Sequence, residues 1–339
     1  EELHEYTSYP VTKQFLNLKE KFFKKLEENS ESAILILDGL DKLDNTHVTA
    51  SSLNLIFASL IDATVSIRND ELLPPGFQLK IIIPHDRYLS INLRDSDKID
   101  SMHAQIIWNK TTLAEFVRKR IEVSLGQNNS FQNLWRSVMP DTVLNKYHGI
   151  NEDSFDYILR HTMYRPRHIQ AYLKEISKRY PAVNIESNMI PACVVDVAND
   201  ITRHFCNEHR QDHQHLLRFL QLFDRKDNIM TYSIFRDRVL FALNKFHSNP
   251  DVRPLVDDKI DSLYMMGVFG IVKFLEPGEP VGDRYLPPTK ESKRHYVDFF
   301  YKNRQHSVSG ILADDSLIAL HSVFIDSVNL RAHPSMIVG

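Results

Sequence analysis

Apolar side chains at Phe15, Leu16, Leu18, Phe22, Phe23 and Leu26, set among lysines and glutamates, predict an amphipathic helix over residues 11–29. The pattern then changes. Ala33-Ile34-Leu35-Ile36-Leu37 is an unbroken apolar run ending at Asp38-Gly39. It is too short for a helix of its own and apolar on both faces, which predicts a buried strand of a parallel sheet. A second helix is expected over 49–68, carried by Leu53, Leu55, Ile56, Leu60, Ile61 and Val65. Pro74-Pro75-Gly76 breaks the chain, and a second buried strand is expected at Leu79–Ile83, stopped by Pro84. Strand, helix and strand at this spacing predict a right-handed βαβ unit.

Beyond about residue 110 the strand signals give way to helical ones. Helices are expected at 111–125, 131–146, 152–162, 167–179 and 188–209. Three more follow at 213–224, 231–246 and 256–266, then the apolar run Gly267 to Phe274 and a strand pair flanking the Pro/Gly-rich stretch 276–288. Three helices and a β-hairpin make the plan of a winged helix, here with a closing helix predicted over 314–329. The 339 residues are enough for two or three domains.

Composition narrows the function little. A net charge of −3 gives no overall pull toward nucleic acid or anionic membrane, and no apolar run is long enough to span a bilayer. The two cysteines, Cys193 and Cys206, lie outside any CxxC pattern and fit a reduced, cytoplasmic protein. His204, His209, His213 and His215 cluster without zinc-ligand spacing and read as a helix surface. GxSxG, Cys–His and GxGxxG signatures do not occur, so hydrolase-triad and dinucleotide chemistry have no support.

The stretch Ile34-Leu35-Ile36-Leu37-Asp38-Gly39-Leu40-Asp41 carries the most chemistry. Apolar residues ending in an acid have the Walker B form. An aspartate leaving the carboxyl end of a parallel strand stands where α/β sheets bind ligands, and it can hold Mg²⁺ directly or through water. Asp41, three residues on, can approach an attacking water. The plainer reading is a strand ending in an Asp-Gly turn. After the next strand, Arg87 follows in His85-Asp86-Arg87, where its plain reading is a solvated loop charge. In Tyr164-Arg165-Pro166-Arg167, proline suits the first turn of a helix and fixes two arginines at its start. Cations there oppose the helix dipole at a cost of roughly 0.3–1 kcal/mol, which favours an anionic partner, a phosphate or an acidic side chain.

Taken in order, ILILDGLDKL (34–43), HDRY (85–88), DKI (97–99), IW (107–108), RKRI (118–121), LRHTMYRPR (159–167) and LYMMGVFG (263–270) resemble a bacterial P-loop ATPase family of the STAND/AAA+ class over about residues 30–330. The resemblance implies a parallel α/β P-loop NTPase portion over 1–110, incomplete, an all-α lid over 111–210 and a winged-helix domain with its closing helix over 211–330, predominantly helical as a whole. It implies ATP and Mg²⁺ as cofactors. Asp38 then takes the Mg²⁺ role, Asp41 that of the second Walker B acid and Arg87 the sensor 1 place. Arg165 and Arg167 fall at a sensor 2-like position in the lid. His321 is similar in placement to the histidine by which STAND proteins sense ADP, although a lone histidine on an apolar face also suits a core.

The departure from the family is the missing GxxxxGK[ST]: the first glycine of the chain is Gly39. The expectation is that this loop lies upstream of Glu1, the alternative being a regulatory relative that has lost it. The resemblance implies an ATP-driven switch that forms homo-oligomers and signals to an effector protein, in the manner of antiphage-defence sensors, with no membrane partner. Two other readings stand beside it. One is a DNA-binding AAA+-like regulator; its candidate recognition helix 256–266 holds three acids and one lysine, the wrong charge for a phosphate backbone. The other is a catalytically inactive scaffold.

Overall fold

The computed structural model describes residues 13–29, 32–40, 50–68, 77–84, 88, 91, 99, 102–145, 150–181, 185–210, 213–223, 228–246, 252–274, 295–299 and 307–324. The chain divides into two units, Glu1–Ile106 and Ile107–Gly339, and is predominantly helical with small sheets.

The first unit contains α1 (Lys13–Glu28), β1 (Ala33–Leu37), α2 (Ala50–Arg68) and β2 (Phe77–Ile81). The two strands pair in parallel with Leu35 opposite Leu79, and the Ile82 N–H extends the ladder by donating to the Leu37 carbonyl at 2.9 Å. The apolar face of α2 supplies Leu53, Phe57 and Ile61 to a core completed by Ile91 and Ile99. Phe23 of α1 meets Phe77 of β2 edge-on at 5.3 Å.

One expectation for this unit fails. Ile34, Leu35 and Ile36 are 55%, 49% and 55% exposed, where an unbroken apolar run predicts burial on both faces. Among the described residues β2 is the only strand paired with β1, and a parallel strand is covered only when sheet neighbours and a layer on each face surround it.

The second unit opens with α3 (Lys110–Leu125). A reciprocal capping box starts it: Asn109 Oδ1 accepts from the Thr112 N–H at 2.8 Å, and Thr112 Oγ1 accepts from the Asn109 N–H at 2.9 Å. Gly126, in the left-handed region at φ 65°, ends it. Helix α4 (Phe131–Val138) is shorter than the expected 131–146, because Pro140 bars the residue before it from helical geometry and the β-branched Thr142 and Val143 follow. Those residues form β3 (Thr142–Asn145), antiparallel to β4 (Ile150–Asp153). Three helices follow: α5 (Ser154–Leu159), α6 (Pro166–Arg179) and α7 (Met189–Glu208). Phe131, Trp135 and Phe155 pack with centroids 4.8 to 5.7 Å apart, and the buried Trp135 Nε1–H donates to Ser154 Oγ at 2.8 Å.

Among its remaining described residues this unit has α8 (Leu216–Gln221), β5 (Ile229–Thr231), α9 (Tyr232–Phe246), α10 (Leu255–Met265), β6 (Phe269–Phe274), β7 (His295–Asp298), β8 (Leu317–Leu320) and a 3-10 turn, Ser322–Phe324. The strands form one antiparallel sheet in the order β5-β8-β6-β7. Phe223, Phe235, Phe269 and Tyr264 build a continuous aromatic core, each ring within 6 Å of the next.

The closing helix expected over 314–329 is not formed in its described part. Leu317-Ile318-Ala319-Leu320 is a strand between β5 and β6, and the 3-10 turn succeeds it. A short continuous apolar run paired on both edges is a buried-strand pattern that helical spacing imitates. Helix α7 packs on that turn: Thr202 Oγ1 donates to the Val323 carbonyl at 3.3 Å, and Phe205 lies 5.5 Å from Phe324. No helix among the described residues is long and apolar enough to cross a membrane.

Candidate functional site: an arginine-bearing turn between two helices

The segment from Arg160 to His168 joins α5 to α6 and is polar yet mostly buried. Arg160, His161, Thr162 and His168 are all under a tenth exposed. Buried polar groups persist when hydrogen-bonded, and the partners here are local. His161 Nδ1 lies 2.8 Å from the Tyr157 carbonyl oxygen, and His168 Nδ1 lies 2.7 Å from that of Thr162. Thr162 Oγ1 donates to the Leu159 carbonyl at 2.5 Å and accepts from the Tyr164 N–H at 3.2 Å. Tyr172 of α6 donates its hydroxyl to the His161 carbonyl at 3.1 Å. The Arg160 guanidinium pairs with Glu152 of β4 at 2.8 Å, both side chains about a tenth exposed or less.

This network holds a backbone that two non-glycine residues rarely adopt together. Met163 and Tyr164 have φ of 48° and 53°, both in the left-handed region. Such residues cost about 1–2 kcal/mol each. The turn reverses the chain and delivers Arg165 in extended geometry to the N-cap of α6, where it makes no side-chain cap bond, with Pro166 in the first turn.

Burial and the neighbouring Arg160 charge hold His161 down to about 3, and burial with the Arg165 charge does the same to His168. Both histidines stay neutral at physiological pH. The turn's cationic output is therefore Arg165 and Arg167.

Both arginines converge on one carboxylate. Arg165 Nη1 lies 3.2 Å from Glu208 Oε2, and Arg167 Nη2 donates to both Glu208 oxygens at 2.9 Å. The Arg165 guanidinium also sits 5.9 Å from the Phe205 ring centroid, one turn earlier on α7. Glu208 is the last residue of α7. An acid at a helix C-terminus opposes the dipole, as do the arginines at the N-terminus of α6, each by roughly 0.3–1 kcal/mol. Burial raises the Glu208 carboxyl, but the Arg165 charge and the Arg167 hydrogen bond outweigh it, and the net shift is downward. The three side chains are 32% to 59% exposed. A pair so exposed contributes about 0–1 kcal/mol, close to what the unfavourable helix ends take away. The anionic partner expected for the two arginines is thus present as a side chain, 41 residues beyond Arg167.

The other predicted site residues lie elsewhere. Asp38 follows β1 and is exposed, with its Oδ1 accepting the Gly39 N–H at 2.6 Å, and Gly39 adopts φ 76°. The Asp-Gly turn is formed, and the carboxylate stands at the carboxyl end of a parallel strand. Asp41 and Arg87 lie outside the described residues. His321, expected on an apolar helix, sits between β8 and the 3-10 turn. It is 1% exposed, its Nδ1 accepts the Val323 N–H at 3.2 Å, and Phe299 lies 4.8 Å from its ring. Among the described residues no three His, Cys, Asp or Glu side chains converge as a metal site.

Glu208 is the functional candidate that sequence reasoning missed. Its only signal is an acid in the last turn of a helix, where basic residues are favoured.

Comparison with known proteins adds one match. No curated protein and no solved structure matches the chain. Residues 111–200, which contain α3 to α6, the strained turn and the first part of α7, are similar to FunZ_C, the FunZ-associated C-terminal helical domain.

Proposed function

We propose that this chain is the lid and output portion, with part of the core, of a nucleotide-dependent molecular switch of the STAND type, driven by ATP and Mg²⁺. The observation that carries the reading is Asp38: an exposed carboxylate leaving the carboxyl end of a parallel strand in a βαβ unit, the position at which α/β sheets engage ligands. The match of residues 111–200 to a helical domain and the paired arginines of its turn support it.

In this reading Asp38 holds Mg²⁺, Asp41 approaches the attacking water and Arg87 senses the γ-phosphate. By the same resemblance Arg165 and Arg167 take a sensor 2-like role. Catalysis is then positioning and charge stabilisation, with little covalent chemistry asked of the protein. A phosphate-binding loop from outside these 339 residues would have to complete the site, since GxxxxGK[ST] does not occur in them.

The helix–strand–helix–helix–hairpin order of α8 to β7 supports a winged helix as the output module. Its buried contacts suit packing and switching. The basic side chains near α10 are engaged within the protein: Lys259 with His213, Arg236 with Asp257 and Arg238 with the Leu222 carbonyl. The candidate recognition helix 256–266 holds three acids and one lysine, a poor match to a phosphate backbone, so an effector protein and further copies of the chain are the partners proposed, in a defence or signalling role. Two readings compete with it, a DNA-binding AAA+-like regulator and a catalytically inactive scaffold that has lost the loop.

Asp38→Asn tests the proposal. In the full-length protein it is expected to abolish Mg²⁺-dependent ATP hydrolysis while leaving the unfolding temperature unchanged, because the side chain is exposed and bonds only its neighbour's N–H among the described contacts. Unchanged turnover in Asp38→Asn would remove Asp38 from the site.

A further inference from the structure

The arginine pair of the α5–α6 turn is occupied from within, and the occupant lies at the unfavourable end of its own helix. A carboxylate terminating α7 lies at the negative end of one helix, and two guanidinium groups opening α6 lie at the positive end of another. Each charge is misplaced on its own helix and satisfied by the other. An ion pair built this way separates with little net loss once another anion satisfies the arginines, and its three members are accessible to solvent. The backbone that leads into the arginines is, by contrast, held by a buried network. Met163 and Tyr164 are held left-handed by the buried Thr162, His161, His168 and Tyr172 network. The backbone leading into Arg165 is held in place, whereas the acid comes from the end of another helix.

We infer that Glu208 is an autoinhibitory competitor: its carboxylate occupies the Arg165–Arg167 pair in the resting protein, and a phosphate group displaces it. The inference rests on the proposed function for the identity of the phosphate as that of a nucleotide, but the competition itself concerns any phosphoanion. The released end of α7 is the end that packs on the closing turn. Thr202 and Phe205 contact Val323 and Phe324 within two turns of Glu208. Displacement therefore acts on the element that joins the helical region to the β5-β8-β6-β7 sheet. Phosphate oxygens match the guanidinium forks as well as a carboxylate does and carry more charge.

The test is titration of pyrophosphate and of ATP into the full-length protein, its Glu208→Gln variant and its Arg165→Ala/Arg167→Ala variant, with unfolding temperatures measured alongside. Glu208→Gln keeps the shape and removes the competing charge. It is expected to bind pyrophosphate more tightly than wild type, by at most about fivefold, the most that removing an exposed ion pair can add. The double arginine variant is expected to lose that binding, and adding Glu208→Gln to it should restore nothing. If pyrophosphate follows this pattern and ATP binds no variant, the competitor stands and the nucleotide reading falls. If ATP binds wild type and Glu208→Gln equally, the nucleotide reading survives and the competitor is overturned. A lower unfolding temperature in Glu208→Gln with no change in anion affinity, or no pyrophosphate binding by Glu208→Gln, reduces the contact to a structural salt bridge and overturns the inference.

Discussion

At the scale of single residues, three buried histidines shape how this protein should respond to pH. His161, His168 and His213 are each held near 3 against the usual 6.5. Burial is the largest cause in each, reinforced by the charges of Arg160, Arg165 and Lys259 respectively. Between those two values the unfolded chain binds protons that the folded chain refuses. Stability is therefore complete above about pH 6.5 and falls as pH drops toward 3, by up to roughly 1.4 kcal/mol per pH unit for each histidine. Denaturant midpoints measured from pH 7.5 down to 5 should decline steeply; a flat profile would show that these rings protonate in place. Thr162 makes a second residue-scale prediction. Its hydroxyl is the acceptor that the Tyr164 N–H uses in the strained turn. Thr162→Val preserves volume and should cost about 1–2 kcal/mol in equilibrium unfolding. The sequence exposed the two arginines and the proline of this turn, because helix-start chemistry is local. It concealed Glu208, whose role depends on two helix ends meeting in space.

At the scale of elements, hydrophobic periodicity located the long helices, since α2, α3, α6, α7 and α9 each follow the 3.6-residue pattern within a residue or two of the expected bounds. It failed where apolar runs were short. The stretch 131–146 divides into α4 and β3 because Pro140 interrupts it, and Leu317–Leu320 is a strand because two neighbours complete its ladder. Periodicity carries no information about such neighbours. Strand β1 shows the reverse case: its apolar run predicted burial, yet it has a single described partner and its side chains are half exposed. In the second sheet, the crossing of β6 and β7 is close enough to be tested by one methyl group. A Cβ added at Gly270 would lie 2.6 Å from Val297 Cγ1, 2.9 Å from Phe299 Cδ1 and 3.0 Å from the Asp298 carbonyl oxygen. Gly270→Ala should destabilise the protein by about 1–3 kcal/mol, read as a lowered unfolding midpoint; a neutral result would mean that the hairpin gives way freely.

At the scale of the whole molecule, the sequence anticipated a predominantly helical chain with a parallel strand pair, and the described residues are mainly helical with small sheets, one of them parallel. What it could not convey is which charges meet. Asp38 is legible as the end of a strand, whereas the carboxylate facing Arg165 and Arg167 comes from the far end of another helix. The central claim, that Asp38 is the magnesium-holding acid of an ATP-driven switch, concerns the protein as a whole and is best tested by turnover. The measurement is Mg²⁺-dependent ATP hydrolysis by the full-length protein beside its Asp38→Asn variant, both shown to unfold at the same temperature. Turnover is expected in the wild type, and its loss in the variant. A wild-type protein that neither binds nor hydrolyses a nucleotide, or a variant that hydrolyses ATP at the wild-type rate, would contradict it.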